Sequence, residues 1–72
     1  MRSDKTLREE AKIEEWLGRH FSRISWWVSH QRTSWYVDWG RWNEMQDTGP
    51  WRTKLAALRE AKRIIEAEER NK

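Results

Sequence analysis

The chain contains no cysteine, which removes disulfides, thiolate chemistry and Cys-ligated zinc together. Its two histidines, His20 and His30, are too few to build a structural zinc site alone, so no metal or other cofactor is expected. Proline occurs once and glycine three times, too rarely to mark a linker or a low-complexity segment. No apolar run approaches the roughly 18 residues of a membrane span; the longest are Trp26-Trp27-Val28 and Trp35-Tyr36-Val37. The charged amino-terminal segment lacks the apolar stretch of a secretory signal, and a cytoplasmic location is the expectation. Aliphatic side chains are also scarce: Leu, Ile, Val and Phe together make 11 of 72 residues, a proportion that taken alone belongs to disordered chains.

Seven tryptophans and one tyrosine reverse that conclusion. Each large aromatic buries roughly 150 to 250 Å², so seven indoles can withdraw on the order of 1,000 to 1,700 Å² from water. An aromatic core is therefore expected. A chain of 72 residues forms one small domain, with too little material for both a core and a deep catalytic cleft. A Ser, His and Asp constellation would need such a shielded pocket, so the chain reads as non-enzymatic, with no small-molecule substrate. The net charge of +3 and isoelectric point near 9.7 permit a polyanionic partner without demanding one.

From Thr6 to Phe21 the apolar residues Leu7, Ala11, Ile13, Leu17 and Phe21 recur on one broad helical face, with Trp16 at its margin. Thr6-x-x-Glu9 fits a capping box, and Ser3 or Asp4 offers a cap one turn earlier. Glu15 and Arg19 form a favourable i,i+4 pair, whereas Glu10 and Glu14 repel, so the acidic cluster reads as a solvated face. Between Arg23 and Gln46 the period becomes two. Ile24, Trp26, Val28 and His30 point one way and Ser25, Trp27 and Ser29 the other; then Trp35, Val37 and Trp39 alternate with Ser34, Tyr36 and Asp38. A hairpin linked near Gln31-Arg32 is expected, without the Asn-Gly signature of the tightest turns. Gly40 makes either a turn into a third strand, Arg41 to Gln46, or a bulge in one long strand, and the choice decides which face Trp42 joins. Asp47-Thr48-Gly49-Pro50 is turn chemistry. Thr53 then caps a second amphipathic helix built on Leu55, Leu58, Ala61 and Ile65, with Ala57 and Ile64 beside them, running to about Arg70. The expected architecture is a single α+β domain over 1–72: helix, two- or three-stranded antiparallel sheet, helix, with 1–5 and 69–72 frayed.

If both helices cover the side of the sheet bearing Trp26, Val28, Trp35 and Val37, then Trp27 and Tyr36 stand on the other side, joined by Trp42 in one of its two registers. Aromatics on a sheet can stack nucleobases while arginines near the strand ends, Arg23, Arg32, Arg41 and Arg52, contact phosphates. The same Trp, Tyr and Arg mixture composes the hot spots of protein interfaces. A third reading buries the face, under the helices or against a second copy. Most cations of the second helix are diluted by glutamates and read as solvated, but Arg52 and Lys54 at its start have no adjacent acid in sequence. The candidate macromolecule-binding set is thus Trp27, Arg32, Tyr36, Arg41, Trp42, Arg52 and Lys54.

The segment from Ile24 to Ala61, strands followed by Gly49-x-Trp51-x-Thr53-x-x-x-Ala57 and a helix, resembles the sheet-plus-helix DNA-binding modules of phage integrase arm domains and plant ethylene-response factors. That resemblance implies a sheet entering the major groove, with Trp27, Arg32, Tyr36 and Arg41 near DNA. The order helix, three strands, helix is also that of double-stranded-RNA-binding domains. Their Ser-Lys-Lys-x-Ala-Lys helix start is replaced here by Thr53-Lys54-Leu55-Ala56-Ala57. The leading expectation is a small accessory or inhibitor protein of phage or mobile-element type that docks its aromatic sheet face onto a protein partner. A charge of only +3 captures nucleic acid weakly, which places nucleic-acid binding second; a homodimer whose strands or Trp faces pair is third. A membrane-surface role is disfavoured by the glutamates on both polar helix faces.

Overall fold

In the computed structural model the described residues are 3–20, 25–41 and 44–70. The elements are α1 (Asp4–His20), β1 (Ser25–Gln31), β2 (Ser34–Arg41), β3 (Glu44–Trp51) and α2 (Lys54–Arg70). The strands form one antiparallel sheet in the order β1-β2-β3, completing an α+β unit of helix, three strands and helix.

Each helix begins on a hydroxyl cap. Thr53 accepts the Ala56 amide at 3.1 Å on its side chain and the Ala57 amide at 3.2 Å on its carbonyl, satisfying donors that the first helical turn leaves open. At α1 the cap is Ser3, whose hydroxyl accepts the Thr6 amide at 3.2 Å; Thr6 itself lies within the helix. Residues 4 and 5 are accordingly helical, as are 69 and 70.

The apolar stripe of α1 also differs from the sequence pattern. Leu7 is 45% exposed and Ala11 is open to solvent, while Glu10, Ile13 and Leu17 are buried. The helix lies chiefly against α2 rather than flat on the sheet, and this rotates its buried face. Phe21 is outside the described residues, as are Arg23 and Ile24. The acidic side of α1 is not merely solvated, since Glu14 holds Lys54 at 2.8 Å and Glu9 pairs with Arg59; at the other end of the helix pair Glu69 of α2 reaches His20 of α1 at 2.5 Å. Pairing between helices offsets part of the desolvation of these groups. The Glu15 to Arg19 pair forms as expected, at 3.6 Å on the surface.

The third strand starts later and ends later than its pattern implies. Gly40 is neither a turn nor a bulge; it stands inside β2, paired with Ser25 and Met45, at φ 130. A Cβ at Gly40 would strike the Glu44 carbonyl oxygen, so this crossing of β2 and β3 requires glycine on two counts. Asp47-Thr48-Gly49-Pro50 lies within β3 and is not a turn. In the ladder Trp35 pairs with Trp51 and Val37 with Thr48, which leaves Gly49 and Pro50 together opposite Tyr36: a β-bulge. Because β3 is an edge strand, the missing amide of Pro50 removes nothing indispensable. The bulge composition, Gly followed by Pro, is that of a turn, which is why sequence pattern alone misassigns it.

The centre of the core is mainly aliphatic rather than aromatic. Ile13, Leu17, Val37, Trp39, Ala57, Leu58, Ala61 and Ile65 are buried, while Trp16, Trp26, Trp35 and Trp51 pack around them partly exposed. Ala57 and Ala61 let α2 approach the sheet closely, leaving the wide indoles to wall the periphery. There a polar N–H can still find a partner: the Trp51 indole donates to the Thr48 hydroxyl at 3.0 Å, spanning the bulge.

Candidate docking face

Every strand residue in or against the core belongs to one alternation set, namely Trp26 and Val28 of β1, Trp35, Val37 and Trp39 of β2, and Trp51 of β3. The other set faces away from both helices. In it Trp27 is directly opposite Asp38, which is directly opposite Asp47, so these three cross the sheet in one row. The neighbouring row places Ser29 opposite Tyr36 and then the Gly49-Pro50 bulge, and Met45 pairs with Gly40 at the far end. Trp27 is 46% and Met45 39% exposed. Tyr36 is half-buried because its ring lies over Gly49, where an added Cβ would collide with it; the aromatic shields a backbone that has no side chain of its own.

The electrostatics of this face depend on Asp38. Burial of its carboxyl among neighbours raises its pKa, and the adjacent Asp47 charge raises it further; hydrogen bonds from the Ser29 hydroxyl, at 3.4 Å, and from the Trp27 side chain oppose the shift. Among the described side chains pointing outward from the strands, two are carboxylates and none is basic. Like charges directly opposite on a sheet are destabilising, so the isolated protein carries a local electrostatic cost here.

The candidate residues of the sequence divide accordingly. Trp27 and Tyr36 share the open face. Arg32 is exposed at the tip of the β1-β2 hairpin, where Gln31 pairs with Ser34 and Arg32 takes φ 57. Arg41 ends β2 opposite Glu44, with its side chain outside the described residues, and Trp42 is outside them altogether. Arg52 and Lys54 lie on the helix side, lining a cleft of about 580 Å³ with Ser3, Thr6, Glu10 and Trp35. Lys54 is not a free cation, since Glu14 neutralises it. The expected union of aromatic face and Arg52/Lys54 corner into one surface is therefore not formed.

Sequence reasoning passed over Asp38 and Asp47 as site residues. Asp38 was visible in the alternation with Tyr36; Asp47 was hidden by the turn-like composition around it. The two histidines stack on indoles, His30 on Trp35 at 4.0 Å and His20 on Trp16 at 4.6 Å, and among the described residues no group of three or more potential ligands is placed to hold a metal. Among these residues no helix is long and apolar enough to cross a membrane. No protein-family model, curated protein or solved structure matches the chain.

Proposed function

We propose that the protein is a non-enzymatic docking module, an adaptor or inhibitor, that binds a basic protein surface through the outer face of its sheet. Trp27 is the apolar anchor, Tyr36 supports it, and Asp38 with Asp47 receives a cation from the partner. The observation that carries this reading is the row Trp27, Asp38, Asp47. An exposed indole next to two mutually repelling carboxylates is poorly suited to phosphate, and a guanidinium suits it well: it stacks on the ring and bonds both acids. Nucleic-acid binding through the same face would set phosphates against Asp38 and Asp47. A dimer formed face to face would set the acid pair of one copy against that of the other.

The test is an NMR titration of the full chain, following the Trp27 indole N–H. The probes are an amidated tetra-arginine peptide, a tetraglutamate peptide, and single- and double-stranded oligonucleotides. Saturable shifts confined to the outer face are expected with tetra-arginine alone, and they should disappear in Asp38→Asn/Asp47→Asn. Saturable binding of an oligonucleotide that weakens steeply between about 50 and 200 mM salt would overturn the reading in favour of nucleic acid.

A further inference from the structure

The two edges of the sheet are unlike. The free edge of β3 carries the Gly49-Pro50 bulge and Asp47; each of these discourages another strand from pairing there. The free edge of β1 has none of them. Ser25-Trp26-Trp27-Val28-Ser29-His30-Gln31 is in unbroken register with β2 over its whole length and contains no Pro, Gly, Lys, Arg, Asp or Glu. Such an edge presents a row of open backbone donors and acceptors, and among the described residues of β1 there is no charge, proline or glycine to turn a partner away.

We infer that a second copy of this chain occupies the β1 edge, joining two three-stranded sheets into one continuous six-stranded sheet. The strand is complementary to itself. Antiparallel pairing centred on Val28 sets Ser25 against Gln31, Trp26 against His30 and Trp27 against Ser29 of the second copy, so all seven residues pair and no charge meets a like charge. Each indole faces a smaller residue, and Trp26 against His30 repeats across the junction the indole–imidazole stacking that His30 already makes with Trp35. Trp26 and Val28, partly exposed at the end of the core, gain cover on the helix side. The outer faces run on into each other, so the two docking rows of the proposed function lie side by side on one surface. The dimer does not depend on that function, and either can fail without the other.

The test is sedimentation of the full chain over about 1 µM to 1 mM, the range in which a strand-sized contact associates. The mass should rise from one chain to two, and added salt should favour the dimer by screening the +3 charge that each copy carries. Two double variants at exposed positions report the register. Ser25→Lys/Gln31→Lys opposes like charges at both ends of the junction and should weaken association roughly five- to tenfold, whereas Ser25→Lys/Gln31→Glu opposes unlike charges and should restore or strengthen it. A wild-type chain that stays monomeric throughout overturns the inference. So does a dimer to which both variants are indifferent, because it forms elsewhere.

Discussion

The two faces of the sheet are built from the same strands and are close to opposite in chemistry. Toward the helices, Val37 and Trp39 are buried to 0% and 3% exposure among aliphatic neighbours. One residue away in sequence, Tyr36 and Asp38 face outward beside an exposed indole. Period-two alternation forces the division, but nothing in the backbone requires the outer set to include an exposed Trp and two opposed acids. A merely solvated face would do better with Thr, Lys or Gln at those places. The covered face is selected for packing, and the open face keeps groups that give the isolated chain little stability or reduce it. Residues of that kind are where binding is to be sought.

The sharpest test of this division replaces one tryptophan on each side. Trp39→Ala removes the most deeply buried described indole and should cost about 3 to 5 kcal/mol. A domain this small has only about 4 to 11 kcal/mol to lose, so urea denaturation followed by circular dichroism should show it largely unfolded or barely stable. Trp27→Ala should change stability by less than about 1 kcal/mol and abolish binding of the basic probe. If Trp27→Ala also unfolds the chain, the two faces are not different in kind and the docking reading fails.

Gly49 joins the faces and gives the next largest effect. It sits at φ 153 beneath the Tyr36 ring, so Gly49→Ala adds backbone strain to a steric clash. A loss of about 2 to 3 kcal/mol is expected. Tyr36→Ala opens the space but leaves the strain, so the double variant should regain only part of that loss. Full recovery would mean that the Gly49 backbone tolerates a side chain and that Tyr36 is on this face for binding alone.

The alternation of Trp26, Val28, Trp35 and Val37 against Trp27 and Tyr36 was legible from the sequence, as were the Thr53 cap and the α2 stripe, because each depends on residues close in sequence. What was not legible depends on residues far apart. Glu14 and Lys54 look like unrelated surface charges until α1 packs against α2 and pairs them, and Glu10 looks solvated until the fold buries it in the cleft that it lines with Thr53 and Lys54. Gly49-Pro50 carries a turn composition that serves equally for a bulge, and only the Trp35 to Trp51 pairing shows which. That single misreading also concealed Asp47, and with it the acid pair that makes the described part of the open face acidic rather than basic.

A smaller effect of opposite sign is expected at the hairpin tip. Arg32 occupies a left-handed conformation at φ 57 that glycine adopts at lower cost, so Arg32→Gly should stabilise the chain by about 0.5 to 1 kcal/mol, measured by the same urea titration. If binding of the basic probe is unchanged in that variant, Arg32 lies outside the docking surface despite its exposure. Tighter binding, from removal of a cation that repels the basic probe, would extend the surface to the tip.

The smallest effect is the most informative, since it asks whether the acid pair serves the fold. The folded state raises the Asp38 pKa, so it holds that proton more tightly than the unfolded chain does. The stabilising contribution is then present in full below the unfolded value, about 3.9, and is lost as pH rises through the higher folded value. At pH 7 the ionised Asp38 is a net burden. Asp38→Asn keeps a polar group of the same shape and removes the burden, so its Tm should exceed that of the parent at pH 7, with the gap closing as pH falls below about 4. Other carboxylates, such as Glu9 and Glu14 in their pairs with α2, weaken at low pH in both proteins and cancel in the difference. Saturating tetra-arginine should close the gap at pH 7 from the other side, because a bound cation neutralises the repulsion that Asn relieves. A gap that persists with the peptide present would leave Asp38 as a defect of the fold with no ligand to justify it.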